Sequence, residues 1–275
     1  MRIIQIITFL SVGTLVSCGA PVPQPFDPSS GKWVDLSHSY GAETIYWPTS
    51  DKFALETVSE GDTDGGYYYS AYKFTTAEHG GTHLDAPVHF ARGKHSTENI
   101  PISSLTGPAA VIDVSDVVQD NADYQIGVAD IARWEALHGP VPAGAQVLFH
   151  TGWAARWPDA KRYLGTDERG AAATAKLRFP GLSPEAATFL AEERQIESVG
   201  LDTASLDFGR STGFEAHRIL MEKNIIGYEN VTGLEQLPPI GAYLVALPMK
   251  IEGGSGGPLR IVAFVPSAAE TVGQN

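Results

Sequence analysis

A chain of 275 residues that is 43% hydrophobic and 19% charged holds enough apolar material for a real core, in one large α/β domain or two small ones. Its formal charge of −13 argues against a nucleic-acid groove, which needs a basic stripe, and against docking on anionic lipid by charge alone. A solvated acidic surface accounts for the charge itself.

The first predicted element lies ahead of any domain. The stretch MRIIQIITFLSVGTLVSC carries one Arg, then an apolar run from Ile3 to Val16, then Cys18. The run is short for a membrane span and suits the apolar region of a signal peptide. LVSC resembles a bacterial lipobox, in which the cysteine is lipidated and becomes the first mature residue. Cys18 is the one cysteine in the chain, so no internal disulfide can form. A plain secretory signal with an incidental cysteine is the alternative. Gly19 resembles the following residue of lipoproteins sent to an outer membrane. The expectation is a signal peptide over 1–17, a Pro/Gly/Ser-rich tether over 18–30, and an exported protein facing the periplasm that meets the membrane only through its lipid anchor.

The domain is predicted over 31–270. WVDLS (33–37) alternates like a first strand, and ETIYWP (43–48) reads as a second, stopped by Pro48. GDTDGGYYYS (61–70) is a Gly/Asp turn running into the β-prone AYKFTTA. PAAVIDVS (108–115) and AQVLFHT (145–151) are nearly all apolar, as in strands covered on both faces. VADIARWEALHG has helical spacing and ends at Gly139. LSPEAATFLAEER opens a helix with Ser183 as cap, Pro184 in first position and Glu185 at the positive end of the dipole. Strands ESVGLDT and IIGYEN flank a helix, FEAHRILMEKN, and AYLVALPMKI and PLRIVAFV close the chain around EGGSGGP. No internal repeat or second linker is present, which predicts a single α/β domain with a mixed sheet flanked by helices.

HGGTHLDAPVHF (79–90) places three histidines and one aspartate within eleven residues, at spacings of four, two and four. In an extended strand these even spacings put all four side chains on one face. His79 and His83 would then stand roughly 13 Å apart, too far to share an ion at about 2 Å from each. The chain must curl between them, and Gly80 and Gly81 permit that. Pro87 and the two glycines disfavour a helix. His79, His83 and Asp85 thus form a candidate facial N,N,O metal set. His89 is left beside the ion, where a free imidazole suits proton transfer. Nitrogen and oxygen donors without sulfur fit Zn²⁺ or Mn²⁺.

The same stretch resembles the signature of the cyclase family of metal-dependent hydrolases, which includes kynurenine formamidases and isatin hydrolases. Every defined position of His-x-Gly-Thr-His-x-Asp-x-Pro-x-His-Phe is present. VDLSHSY, FPGLS, GLDTASLD, AHRILMEKNIIGYENVTGLEQLP and LPMKIEGGSGGPLRIVAFV extend the likeness over most of the domain. The resemblance implies the family's swivelling β/β/α fold, metal ligation by His79, His83 and Asp85, and His89 as general acid/base. It further implies a second ion on Asp85, His217 and Glu229, so one or two ions per chain, and assembly as a dimer or tetramer. Without it, His217 reads as a helix-surface residue and Glu229 as a solvated strand end.

The implied reaction is hydrolysis of a small-molecule amide, either a cyclic amide or an N-formyl aryl amide. Trp47 and the tyrosines around Tyr68 are candidate walls for an aryl substrate, with core or interface packing as the alternative. The YWPTS…GYYYS and GWAARWPDAKRYLG segments look like the isatin-hydrolase branch, and export fits poorly with a cytoplasmic catabolic step. His38, His95, His138 and His150 have no partners at ligand spacing. GGSGGP is no phosphate loop, lacking the following Lys-Ser/Thr, and Ser205 lacks a G-x-S-x-G setting. The competing reading is an exported lipoprotein that binds metal or ligand without turnover, and His89 discriminates against it, since a pure binder needs no free imidazole beside the ion.

Overall fold

Residues 109–112 explain the architecture in miniature. Ala110 and Ile112 join one buried apolar cluster, and Ala109 and Val111 join another on the opposite face. A strand apolar on both faces belongs in a sheet covered on both sides. The computed structural model describes residues 27–267. The expected signal peptide, the lipidation of Cys18 and most of the tether lie outside the described residues. Among those residues no helix is long and apolar enough to cross a membrane.

The strands are β1 (Gly31–Asp35), β2 (Ala54–Asp62), β3 (Tyr68–Thr75), β4 (His83–Asp85), β5 (Thr106–Asp113), β6 (Gln125–Ile126), β7 (Gln146–His150), β8 (Gly181–Leu182), β9 (Ser198–Leu201), β10 (Ile226–Glu229), β11 (Ile240–Pro248) and β12 (Gly256–Pro266). The helices are α1 (Ser115–Val118), α2 (Val128–His138), α3 (Ala160–Leu164), α4 (Pro184–Thr188) and α5 (Glu215–Glu222). Eight strands form one mixed sheet in the order β1-β12-β11-β5-β7-β9-β10-β4, parallel from β5 to β10 and antiparallel elsewhere. The short β4 also pairs back to β12, with Asp85 opposite both Gly227 and Gly256. That second pairing closes the strands from β12 round to β4 into a ring, with β1 attached outside on β12. Leu84, Leu148, Tyr228, Leu244 and Ile261 belong to one cluster, while Val147, Phe149, Val199 and the helical residues Ile131 and Leu220 belong to the other.

Local signals place most elements. The α2 helix occupies its predicted span, with Asp130 accepting from the Gly127 N–H at 2.9 Å to fix its first turn. Ser183 caps α4 through the Ala186 N–H at 3.2 Å, as its sequence predicts. The single helix expected through Arg194 instead widens into π-type turns over Phe189–Arg194 and stops at Gln195, which is left-handed. The 43–48 stretch forms no strand: Tyr46 makes one isolated bridge to Gly80 and the rest turns inward. β2 and β3 pair as a separate two-stranded ribbon whose residues are almost all exposed.

Candidate active site

The site begins with the curl between His79 and His83. Gly81 is left-handed at φ +58°, a region where glycine carries no Cβ penalty. Gly80 lies flat against Tyr46, so closely that a Cβ would sit 2.0 Å from the Tyr46 ring. The Tyr40 hydroxyl bridges the Gly80 and Thr82 carbonyls at 2.9 and 2.5 Å. After this turn the chain enters β4, where His83 and Asp85 share a face, and His83 Nε2 lies 3.2 Å from Asp85 Oδ1. His89 closes a short 3-10 turn after Pro87 and stacks on His79 with ring centroids 3.8 Å apart.

All six sequence-predicted chemical residues converge. Asp85 Oδ1 lies 2.6 Å from His79 Nδ1, and Asp85 Oδ2 lies 3.2 Å from His217 Nε2. Glu229, at the end of β10, faces His217 Nε2 at 3.0 Å and His83 Nε2 at 3.5 Å. Ligand atoms of His79, Asp85 and His89 lie within 4.8 Å of one another, as do those of His83, Asp85 and Glu229. Asp85 is the shared member.

The outward ring nitrogens test whether a cation fits. His79 Nε2 meets Ser255 Oγ at 3.0 Å, and that hydroxyl donates onward to Glu78 Oε2 at 2.6 Å. His83 Nδ1 donates to the Gly81 carbonyl at 3.0 Å. His217 Nδ1 donates to Asp207 Oδ2 at 2.6 Å. These partners take the outward N–H of each ring, so the inward nitrogen faces the Asp85 and Glu229 carboxylates. With the rings neutral, acceptor meets acceptor, and a divalent cation satisfies the arrangement in place of the protons that the carboxylates otherwise hold there. The buried His83 Nε2 has no hydrogen-bond partner. His89 differs: neither of its ring nitrogens is tied to another described residue by a hydrogen bond.

The titration of the cluster follows the same charges. Burial works against protonation of His83, but Asp85 and Glu229 overcome it and raise its pKa to about 9. Burial likewise opposes charge on His217, which Asp207, Asp85 and Glu229 hold well above the usual imidazole value. Burial alone would raise Asp85, but the surrounding imidazoles hold it well below the usual carboxylate range. Burial and the nearby Asp85 push Glu229 up. Burial lowers His89 to about 4, against the attraction of Asp85.

Above these groups opens a cavity of about 270 Å³, walled by Ile45, Tyr46, Trp47, Phe90, Ala204 and Phe214. Trp47 therefore stands where a substrate wall is expected. Tyr68 does not: it lies on β3, 60% exposed and outside the cavity, because the tyrosine run forms the β2–β3 ribbon instead of folding inward. Sequence reasoning also passed over Glu78, Asp207 and Ser255. Asp207 lay in a quoted motif, and the close contact of Gly256 with His79, where a Cβ would come within 2.6 Å of Cε1, gives GGSGGP a role beyond connecting strands.

An α/β ring that gathers histidines and carboxylates beneath an aromatic cavity defines a domain built for a divalent metal. Residues 34–208 match the family model described as Putative cyclase, and the chain belongs to the cyclase family. It is 34% identical to isatin hydrolase from Roseibium aggregatum, over 79% of this chain and 82% of that one. It is 30% identical to kynurenine formamidase from Salinibacter ruber, over 83% of this chain and 95% of that one. Isatin hydrolase A from Ralstonia solanacearum superposes with a TM-score of 0.78 at 33% identity, covering 90% of this chain and all of that one (100%).

Proposed function

We propose that this chain is a metal-dependent amide hydrolase acting on a small aryl substrate, either a cyclic amide of the isatin kind or an N-formyl aryl amide. The observation that carries this reading is one carboxylate, Asp85, shared at the floor of an aromatic cavity by two groups of potential ligands, His79, Asp85 and His89 in one and His83, Asp85 and Glu229 in the other. The similarity to isatin hydrolase and kynurenine formamidase supports it.

His79, His83 and Asp85 would hold one ion, and Asp85, His217 and Glu229 a second. A divalent cation, Zn²⁺ or Mn²⁺, supplies Lewis acidity at the substrate carbonyl and lowers the pKa of water. His89 takes a proton as water attacks the carbonyl carbon and returns it to the leaving nitrogen, which departs poorly unprotonated. Two features support that role. Burial keeps the His89 ring neutral at rest, and its nitrogens lack the fixing partner that orients each of the other three imidazoles. Trp47 and Phe90 offer apolar faces to the substrate's ring.

The reading extends to export with a lipid on Cys18, supported by the N-terminal sequence and tested by radiolabelled palmitate incorporation in a bacterial host, which Cys18→Ala should abolish. It also extends to assembly as a dimer or tetramer, supported by the exposed apolar side chains of the β2–β3 ribbon.

The test is turnover of isatin, N-formylkynurenine and dihydropyrimidine-type rings by the purified protein, with metal added and with chelator. At least one should be hydrolysed and lose its turnover to chelator. His89→Ala should keep its metal and lose roughly 10²–10⁴-fold in kcat. No chelator-sensitive turnover anywhere on the panel overturns the reading.

A further inference from the structure

Phe214 is the one aromatic among the described residues with a left-handed backbone, at φ 49° and ψ 46°. L-residues with bulky side chains rarely hold that conformation, and such outliers cluster at functional sites. The residue before it is Gly213, yet the left-handed position falls on the phenylalanine. Two contacts hold it there. Its N–H donates to Ser211 Oγ at 3.1 Å, and its carbonyl accepts the Arg218 N–H at 3.0 Å in the first turn of α5. The ring is not core filling, since Phe214 is only half-buried and lines the cavity.

From this position the ring completes a continuous aromatic wall. Its centroid lies 6.3 Å from Trp47 and 5.2 Å from Phe90, and Phe90 in turn lies 4.7 Å from His217. The far end is pinned, because the Trp47 carbonyl accepts from the Ser50 N–H at 3.0 Å and from the Arg169 guanidinium at 3.2 Å. The wall is therefore built before any ligand arrives, and it runs down to the imidazole that faces Asp85 and Glu229.

We propose that Phe214 is a specificity-determining residue, held in a left-handed backbone so that its ring spans the gap between Trp47 and Phe90 and favours a planar aryl group beside the scissile carbonyl. The proposal rests on the amide-hydrolase reading and adds the residue that selects the aryl class. Removing the ring should cost aryl binding without costing the fold, since glycine adopts the same backbone freely.

The test measures binding of anthranilate, a planar aryl probe that needs no turnover, by calorimetry, together with the melting temperature. Phe214→Gly should weaken anthranilate by about tenfold or more and leave the melting temperature unchanged or higher. Phe214→Tyr should stay within about twofold of wild type, since it keeps the ring. KM for the hydrolysed aryl amide should rise in step, and by a larger factor than KM for an aliphatic formamide, N-butylformamide. Wild-type anthranilate affinity in Phe214→Gly overturns the proposal, as does an equal loss on both substrates alongside a lower melting temperature. Should the glycine variant fail to fold, Phe214→Asn, which also tolerates the left-handed region, is judged by the same two criteria. The amide-hydrolase reading fails separately, on absent chelator-sensitive turnover by the wild type, whereas Phe214 is judged on the ratio of anthranilate affinities.

Discussion

Asp85 spans the two halves of the site: its Oδ1 lies 2.6 Å from His79 Nδ1 while its Oδ2 lies 3.2 Å from His217 Nε2. A bridging carboxylate makes the halves unequal under mutation. Asp85→Asn should abolish tight Zn²⁺ binding in both halves, because it removes charge from each. His217→Ala should leave one ion on His79, His83 and Asp85. Zinc stoichiometry by calorimetry on the metal-stripped protein checks this. Complete loss of binding in His217→Ala would mean that the halves are a single site.

Ser255 relays between His79 and Glu78, receiving the ring at 3.0 Å and reaching the carboxylate at 2.6 Å. Such a partner orients a ligand imidazole and raises its basicity. Ser255→Ala should weaken metal affinity by about 10–100-fold with little change in secondary structure. A competition assay against a chromogenic chelator gives the number. Unchanged affinity would show that His79 is oriented by its stack on His89 and its contact with Asp85 alone.

His38 is a histidine of a second kind, partly buried behind the site, where its backbone N–H donates to Thr82 Oγ1 at 2.8 Å. It stacks on Trp157 at 4.1 Å, its Nε2 has no partner, and burial lowers its pKa to about 4. The folded value lies below the unfolded value of about 6.5, so the unfolded chain takes up the proton first. The neutral ring therefore costs the fold nothing above pH 6.5, and stability is lost as pH falls from about 6.5 towards 4. His38→Phe keeps the stack and removes the titration. The drop in melting temperature between pH 7 and pH 5 should be smaller in this variant than in wild type. An equal drop would place the acid sensitivity elsewhere.

The chemical residues were legible because the sequence concentrates them. Even spacing puts His83 and Asp85 on one face of a strand whatever surrounds it, and Gly80-Gly81 between two histidines forces a curl. His217 and Glu229 needed the family likeness, since a helix histidine and a strand-end glutamate carry no local signal of what they face. Ser255 and Asp207 were hidden for the same reason: Ser255 meets His79 across 176 residues of chain, a contact made only when β4 pairs with β12. The ring closure itself was illegible, because three residues of β4 carry too little pattern to announce two partners. The fate of Tyr68 turned on β2, whose polar alternation in ALETVSEGD gave no buried face to mark it as a strand.

That ribbon sets a final test. Leu55 and Phe74 sit opposite each other across β2 and β3, 59% and 50% exposed, with Tyr72 and Val58 exposed nearby. An isolated two-stranded hairpin is marginal in water unless something covers it, and a contiguous apolar surface of this kind marks an interaction site. A second copy of the chain is the expected cover. Wild-type protein should therefore behave as a dimer or tetramer in light scattering coupled to gel filtration. Leu55→Asp combined with Phe74→Asp should shift it to monomer while the far-ultraviolet dichroism of the domain stays intact, because neither side chain belongs to either core cluster. A wild-type monomer would refute assembly, and an assembled double variant would move the contact away from the ribbon.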